Sequence, residues 1–308
     1  MEYTGKTPEE IKSFCENVES DKQSEQELIK ISESFRSINR LYHFTKHETA
    51  IEILKSGGLR YSKLNRMNDM HESSKLIYVE YSPAKDDSDD KSKQIDVVHN
   101  EIYNYRQISL TEDKEDSLGF NLMQQWGLYA DCFNGVCLVF DKVKLSRYFN
   151  KQNIKDNKAR KSVKYMKHVD SSEISKVKNN AEDIQKEIFS LKNKIFFQKR
   201  YEWEHEQEYR FIKRCSDDTR QEYLFFHDAL KFIIISNALV NNHDEDSDIS
   251  KREEELKNAI ANFISREKPV NYNIPILYYS VGLNGYGLSY NYIGSIWHED
   301  NGFEVNNE

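Results

Sequence analysis

Residues 41–64 combine a strand pattern, a helix pattern and a glycine stop within a short length of chain. Leu41–Thr45 has the period of a β-strand, with the imidazole of His43 on the same face as the leucine. The residues that follow show apolar positions at helical spacing, and Gly57 and Gly58 end that helix in the usual C-terminal way. Over Leu59–Leu64 apolar and polar residues begin to alternate again, as in a strand. The sequence therefore predicts a strand, a helix and a second strand, with a histidine on the first.

Length, charge and cysteine usage limit the class of protein. A chain of 308 residues allows one large domain or two small ones, and a net charge of −8 excludes a protein that binds polyanions over its whole surface. The four cysteines have no metal-type or disulfide-type spacing, so we expect neither a structural zinc nor a disulfide framework. With no signal peptide and no long apolar run, we expect a soluble, cytoplasmic protein without a membrane partner.

Strand patterns alternate irregularly with helix patterns, without a repeat or a regular βαβ rhythm, which predicts an α+β fold with a mostly antiparallel or split sheet. We expect a helical lead-in over residues 1–40 and one domain over 41–308, with a basic and helical insertion around 142–200. Further predicted elements are strands at 75–82, 108–112, 136–141, 207–212, 232–235 and 274–279, helices at 120–130, 171–197 and 253–265, and loops at 84–94 and 282–294.

The segment Trp203–Ile212 concentrates charge on a predicted strand. Its alternation places Glu206, Glu208 and Arg210 on one face. Two carboxylates on one face repel, which raises the pKa of one unless a cation or ligand compensates, and Arg210 is a candidate cation. Two interpretations remain open: a solvated sheet edge with a paired charge, or a site that holds a ribose or a developing cation.

Several common enzyme signatures are missing from the sequence. It contains no Gly-x-Gly-x-x-Gly before a helix, no Walker-type loop, no His-Glu-x-x-His and no Gly-x-Ser-x-Gly. What remains, in chain order, is the strand with His43, a strand with two hydroxyl side chains, a helix with two aromatic side chains, and the Glu-x-Glu strand. The hydroxyl and aromatic residues are Ser109, Thr111, Trp126 and Tyr129.

These motifs resemble known families over roughly residues 41–240. Leu41-Tyr42-His43-Phe44-Thr45 through Gly57-Gly58-Leu59 resembles the opening of the DNA ADP-ribosyltransferase toxins. The remaining motifs resemble an uncharacterised bacterial domain family that we place in the ADP-ribosyltransferase superfamily. These motifs are Asn68-Asp69-x-x-Glu72, Ile108-Ser109-Leu110-Thr111, Trp126-x-x-Tyr129-Ala130-Asp131, Gly135-Val136-Cys137 and Trp203-x-x-Glu206-x-Glu208-Tyr209-Arg210.

The resemblance implies a site for NAD as a substrate, without a metal. It implies that His43 bonds the adenosine ribose and the nicotinamide carboxamide, and that Glu208 bonds the nicotinamide ribose and stabilises an oxocarbenium-like transition state. Glu206 would orient the acceptor; the DNA-modifying toxins lack such a Glu-x-Glu pair. The full set of implied cofactor-binding residues is His43, Thr45, Tyr61, Ser109, Thr111, Trp126 and Tyr129.

Structural interpretations of the same residues remain open. Trp126 and Tyr129 have the helical spacing of core residues, and Ser109 and Thr111 are compatible with an ordinary sheet face. The segment from Asn68 to Glu72 is also readable as a helix N-cap with an acidic first turn.

Residues 142–168 are distinctly basic and form either a solvated face or a contact for a polyanionic acceptor. The resemblance implies a mono-ADP-ribosyltransferase that modifies a macromolecule, with RNA or DNA favoured over protein, acting as a bacterial toxin or anti-phage effector with a possible antitoxin. The alternatives are an NAD glycohydrolase and a catalytically inactive module that senses a nucleotide or protein. We expect His43 and Glu208 to lie on neighbouring central strands and to open into one pocket walled by Tyr129 or Trp126.

Overall fold

A large, mostly antiparallel sheet forms the centre of the protein, as a computed structural model shows. The structure describes residue 26 and residues 39–64, 88–114, 117–152, 157–167, 181–215, 222–236, 246–267, 274–282, 285–290 and 294–298. Helices pack around the sheet, so the chain is α+β, as the sequence predicts. The predicted lead-in over 1–40, the Asn68–Glu72 motif and the strand at 75–82 lie outside the described residues, except for residues 26, 39 and 40.

The strands are β1 (Arg40–Thr45), β2 (Gly58–Arg60), β3 (Ser62–Lys63), β4 (Tyr105–Glu112), β5 (Val136–Asp141), β6 (Lys158–Ser162), β7 (Lys164–Met166), β8 (Gln198–Arg200), β9 (Glu208–Arg214), β10 (Tyr223–Phe225), β11 (Leu230–Ser236), β12 (Ile276–Gly282), β13 (Gly285–Tyr290) and β14 (Gly294–His298). The main sheet has the order β14-β13-β12-β11-β5-β1-β4-β9-β6, and β3 also pairs with β4. Two small sheets pair β10 with β2 and β7 with β8. Within the main sheet, β11 and β12 are parallel and the other pairings are antiparallel.

The α-helices are α1 (His47–Ser56), α2 (Ser88–Tyr103), α3 (Met123–Tyr129), α4 (Lys142–Lys151), α5 (Ala181–Ser190), α6 (Lys192–Ile195) and α7 (Asp246–Glu267). Short 3-10 helices cover Gly119–Asn121, Tyr201–Glu206 and His227–Ala229. Among the described residues, no helix is both long enough and apolar enough to cross a membrane.

The two faces of the sheet carry separate apolar clusters. On β5, Val136, Leu138 and Phe140 pack into a cluster with α1 and α7, while Cys137 and Val139 pack on the opposite face with Trp126. Apolar residues on both faces mark β5 as a central strand, and Cys137 is a buried small side chain, as the sequence predicts.

The strand-helix-strand prediction at the start of the domain is confirmed. Helix α1 ends at Ser56, and Gly57 adopts the left-handed conformation with φ 70° while its N–H donates to the carbonyl of Ile53. The second strand divides into two short pieces, because β2 pairs with β10 whereas β3 pairs with β4.

Two predicted loops are wrong, and one predicted helix is confirmed in part. The predicted loop at 84–94 contains the start of α2 at Ser88, where the Ser-Asp-Asp sequence suits a helix N-terminus. The predicted loop at 282–294 contains β13, whose Tyr286, Leu288 and Tyr290 alternate as in a strand. The predicted helix at 171–197 is described only from residue 181, and Leu191 separates α5 from α6.

The pairing between β1 and β4 is only two residue pairs long. Only Leu41 and Tyr42 pair with β4, opposite Glu112 and Thr111, although β1 continues to Thr45 along β5. At its other end β4 pairs with β3 through Arg106 and Gln107. The edge of β4 between these two pairings therefore faces an opening in the sheet.

Candidate active site

A cavity of about 240 Å³ lies at this opening. The face of the sheet that carries Trp126 is called the cavity face here. On this face the cavity lies between the apolar cluster around Trp126 and a second cluster around Ile212, Phe196 and Val98. Its polar and charged lining consists of His43, Arg60, Ser62, Gln107, Ser109, Thr111, Gln125, Tyr129, Lys199, Glu206 and Glu208. Residues from β1, β4, α3 and the start of β9 thus meet in one place.

His43 lines the cavity where β1 and β4 have separated. It pairs with Leu138 on the face of the sheet that packs against α1 and α7, whereas Glu208 pairs with Thr111 on the cavity face. The two side chains therefore leave the sheet on opposite faces and meet only through the opening.

At the opening the backbones of β1 and β4 no longer pair, and the ring of His43 instead forms a hydrogen bond with the backbone of Ser109. Burial lowers the pKa of His43 to about 4, and the bond to Ser109 opposes this shift. The imidazole is therefore neutral at neutral pH and acts as a hydrogen-bonding group. The sequence predicts that His43 and Glu208 lie on neighbouring strands. This is wrong, because β4 lies between β1 and β9, the strand of Glu208.

Arg210 forms a bidentate ion pair with the carboxylate of Glu208. Its Nε lies 2.7 Å from Oε1 and one terminal nitrogen lies 2.6 Å from Oε2, and both side chains are buried. Burial alone raises the pKa of Glu208, but the charge and hydrogen bonds of Arg210 outweigh it, aided by Lys199 and Ser109, and lower the pKa to about 2. Glu208 is thus an oriented, ionised carboxylate.

Glu206 reaches the cavity from a different element. It ends the 3-10 helix Tyr201–Glu206, and Gln207 turns the chain with φ 46° and ψ 49° before β9 begins at Glu208. The prediction that Glu206 shares a strand face with Glu208 and Arg210 is therefore wrong, because a left-handed residue interrupts the alternation. The two carboxylates nevertheless line the same cavity.

Lys199 lies between the two carboxylates. Its Nζ is 2.5 Å from Oε2 of Glu206 and 3.6 Å from Oε2 of Glu208, and its side chain is only 6% exposed. Burial and the charge of Glu208 raise the pKa of Glu206, and Lys199 and Tyr129 oppose this shift. The lysine therefore reduces the repulsion that would otherwise protonate one carboxylate.

The two aromatic residues of α3 have different surroundings. Tyr129 lines the cavity and its hydroxyl donates to Oε1 of Glu206 at 2.7 Å. Trp126 is fully buried, stacks on Tyr279 at 5.4 Å between ring centroids and donates to the carbonyl of Phe120. Of the two, Tyr129 is the wall of the cavity and Trp126 belongs to the core beneath it.

The hydroxyl strand contributes to the cavity, whereas two other predicted residues do not. Ser109 and Thr111 line the cavity on β4, directly opposite Arg210 and Glu208 on β9. Thr45 lies at the end of β1 opposite Val136, outside the cavity lining. Tyr61 is buried in the cluster on the other face of the sheet, with Lys213 Nζ 5.3 Å from its ring centroid.

The cavity contains residues that sequence reasoning missed. Lys199 reaches the carboxylates only because β8 pairs with β7 beside β9, which the local sequence does not reveal. Gln125 is 4% exposed, and its amide nitrogen has no hydrogen-bond partner among the residues that the structure describes. A buried donor without a partner costs about 1–3 kcal/mol, and this one belongs to a residue that lines the cavity.

The basic stretch divides between several surroundings. Lys142 pairs with Glu112, Lys144 pairs with Asp228, and Lys158 donates to three carbonyls at the end of α4. Lys161 is exposed on edge strand β6 and lies opposite Arg210, on the cavity face of the sheet, and Lys164 is exposed on β7. Part of the stretch therefore serves the fold and part remains solvent-facing.

A comparison with models of protein families matches part of the chain. The model of a domain family described as a protein of unknown function (DUF2971) matches residues 125–211, less than a third of the 308 residues. The matched segment begins at Gln125 and includes Tyr129, Lys199, Glu206 and Glu208, so it carries most of the charged side of the cavity. No curated protein and no solved structure matches the chain.

Proposed function

We propose that this chain is an NAD-dependent mono-ADP-ribosyltransferase whose site is the cavity between β1 and β4. The observation that carries the proposal is the meeting of six expected residues in one cavity: His43, Ser109, Thr111, Tyr129, Glu206 and Glu208. They come from four separate segments of the chain, and the resemblance described above assigns all six to one NAD site. The fold class of the superfamily is part of the same proposal.

The chemical step suits a carboxylate that is ionised and fixed in place. The bond from the nicotinamide nitrogen to ribose C1′ breaks, its electron pair neutralises the pyridinium ring, and positive charge develops on the ribose. Glu208 faces that charge as an anion and accepts a hydrogen bond from the ribose. The nucleophilic atom of the acceptor then bonds C1′ and loses its proton to water. An ionised carboxylate accepts about four hydrogen bonds. Arg210 takes two and Ser109 one, which leaves capacity for the substrate.

The neutral side chains around the cavity suit the nicotinamide half of the substrate. Tyr129 offers an aromatic face to a cationic ring. The amide nitrogen of Gln125, which has no partner within the described part of the chain, is a donor for the nicotinamide carboxamide. The neutral imidazole of His43 bonds substrate without adding a charge that would repel the pyridinium. A cavity of about 240 Å³ falls just below the roughly 300–1,000 Å³ of ordinary ligand pockets, so part of the dinucleotide lies outside it.

The acceptor is a macromolecule, with nucleic acid favoured over protein. Lys161 and Lys164 are exposed beside the strand that carries Glu208 and Arg210, which offers phosphate contacts close to the reacting atoms. Their charge is local in a chain of net −8. A toxin or anti-phage effector restrained by an antitoxin is the biological setting that the resemblance implies.

Labelled NAD decides between transfer and its alternatives. The protein is incubated with NAD labelled in the adenylate half and with separate pools of RNA, DNA and cell protein, and free nicotinamide is measured alongside. Label in a macromolecular pool supports the transferase. Nicotinamide release with only free ADP-ribose identifies an NAD glycohydrolase, and no release with NAD still bound identifies a catalytically inactive sensing module.

A further inference from the structure

We propose that Lys199 determines acceptor specificity by occupying the cation position between Glu206 and Glu208. It thereby excludes positively charged acceptors, such as guanidinium or ammonium groups, and restricts transfer to neutral nucleophiles. This inference rests on the proposed function and names the class of acceptor for the same site.

The position of Lys199 is fixed by its surroundings. The ammonium group contacts both carboxylates, and it lies 4.6 Å from the centroid of the Trp203 ring. The backbone of Lys199 belongs to β8, where it stands opposite Tyr165 of β7, whose hydroxyl accepts from the N–H of Glu208. A buried lysine held on three sides is part of the site's architecture and is not a mobile surface side chain.

The buried charges around Glu206 and Glu208 are balanced before an acceptor arrives. The two buried carboxylates Glu206 and Glu208 are matched by the two buried cations Lys199 and Arg210. A guanidinium brought to Glu206 would stand within a few ångströms of the Lys199 ammonium, among buried side chains. Juxtaposed like charges of this kind are a strong means of rejecting a wrong partner.

A neutral nucleophile meets no such repulsion. Glu206 accepts one hydrogen bond on each oxygen, from Tyr129 and from Lys199, so each oxygen retains capacity for an N–H or O–H of the acceptor. A nucleobase or a hydroxyl group is such an acceptor. Glu206 therefore orients neutral acceptors, while Lys199 supplies the charge that a cationic acceptor would otherwise bring.

Cation binding tests the exclusion without any turnover. Thermal unfolding is measured for the wild-type chain, Lys199→Ala and Lys199→Gln with millimolar methylguanidinium, with methylurea as a neutral compound of matched shape and with ionic strength held constant. We expect methylguanidinium to raise the melting temperature of both variants but not of the wild type, because the vacated position binds a cation. Methylurea should have no effect.

Lys213→Gln is the matched control, since Lys213 is a buried lysine paired with Glu222 on the opposite face of the sheet. Lys199→Gln retains most of the side-chain volume, so the test does not depend on the folding of the alanine variant. Equal stabilisation of the wild type by methylguanidinium, or no stabilisation of either Lys199 variant, overturns the inference.

Transfer to a guanidino compound tests the same idea in the reaction. With agmatine as acceptor, the ratio of agmatine adduct to released ADP-ribose should rise more than tenfold in Lys199→Gln, whereas Lys199→Arg, which keeps the cation, should resemble the wild type. Efficient modification of agmatine by the wild type overturns the inference even when NAD is cleaved. Absence of NAD cleavage in every protein refutes the proposed function instead, and the cation-binding result still decides the role of Lys199.

Discussion

The hydroxyl group of Tyr129 donates to Oε1 of Glu206 at 2.7 Å, across 77 residues of chain. This contact ties the end of α3 to the 3-10 helix that leads into β9. It places an aromatic ring and a carboxylate on the same wall of the cavity and fixes the separation between them. The helix residue Trp126 has no such contact, and the difference is measurable.

Substitutions of the two aromatic residues of α3 should separate binding from stability. Tyr129→Ala should weaken NAD binding and cleavage with a modest change in stability, because this ring faces the cavity. Trp126→Ala should lower the free energy of unfolding by about 3–5 kcal/mol, because a buried ring and its hydrogen bond are lost. Chemical denaturation and NAD binding are measured on both. A larger stability loss in Tyr129→Ala than in Trp126→Ala would contradict these assignments.

Glu208→Gln should reduce NAD cleavage by on the order of a hundredfold or more, because the anion that stabilises the developing charge is lost. NAD affinity should change by only a few-fold, since the carboxylate acts mainly on the transition state. Some stability is lost as well, because Arg210 keeps a buried charge with a neutral partner. Glu112→Gln, which removes the carboxylate of the Lys142 pair outside the cavity, is the control. Equal NAD turnover by Glu208→Gln and wild type refutes the catalytic role.

Gln125→Leu should weaken NAD binding by about tenfold, the value of one to two hydrogen bonds, while the melting temperature of the ligand-free protein does not fall. The reason is that the buried amide nitrogen bonds no described residue, so under the proposed function its partner is the bound NAD. Isothermal titration with NAD and a thermal melt of the free protein measure the two effects. A variant that binds NAD normally but melts early would show that Gln125 serves the fold.

Stability should fall between pH 6.5 and pH 4 because of His43. The pKa of His43 is about 4 in the folded chain, against an ordinary value of 6.5. Between these two pH values the folded protein therefore binds fewer protons than the unfolded chain. The resulting contribution to the free energy of unfolding is fully present above pH 6.5 and is lost as pH falls. The loss is at most about 3 kcal/mol, and smaller because the ring is partly exposed to the cavity. The raised pKa of Glu206 acts in the opposite direction, since it favours the folded state at low pH and that contribution is lost as pH rises.

Comparison with His43→Gln isolates the histidine from the carboxylates, which both proteins share. Urea unfolding is measured from pH 4 to pH 8, and the variant should lose less stability over the acidic half of that range. Identical pH profiles for the two proteins would mean that the imidazole is not buried as a neutral group.

Transfer to nucleic acid should depend on Lys161 and Lys164. Replacing both by Gln should weaken modification of RNA or DNA and reduce its salt dependence, because two phosphate contacts are lost. NAD hydrolysis should persist, since it requires no polyanion. Lys158→Gln should instead destabilise the end of α4, where its ammonium group caps three carbonyls. If only protein is modified, and the double variant modifies it as well as the wild type does, the acceptor is protein and not nucleic acid.

Local patterns predict the strands that carry the site but not the contacts made inside it. The period of two identifies β1, β4 and β5, and it correctly places Ser109 with Thr111, because these features depend on nearest neighbours in sequence. The left-handed conformation of Gln207, which moves Glu206 off the strand, has no sequence marker, since glycine is the residue expected there.

Contacts between distant segments account for most of what the sequence leaves open. Lys199 lies in the polar tripeptide Gln198-Lys199-Arg200, which does not predict a buried lysine, and its position follows from pairing between β7 and β8. Trp126 and Tyr129 are neighbours on one helix, so periodicity alone does not show which of them faces the core. Packing against Tyr279, more than a hundred residues later, decides it. Helix α2 likewise gains its stability from the buried side chains of Val98 and Ile102.

The backbone ladder that joins the two halves of the main sheet is only two residue pairs long. One half runs from β14 to β1 and the other comprises β4, β9 and β6, and the ladder between them pairs Leu41 and Tyr42 with Glu112 and Thr111. Side chains also join the halves, because Leu41, Ile108 and Phe211 share one apolar cluster. Amides on the unpaired edge of β4 should therefore exchange without global unfolding. A ligand in the cleft touches both halves, so its binding should appear as slowed exchange along that edge.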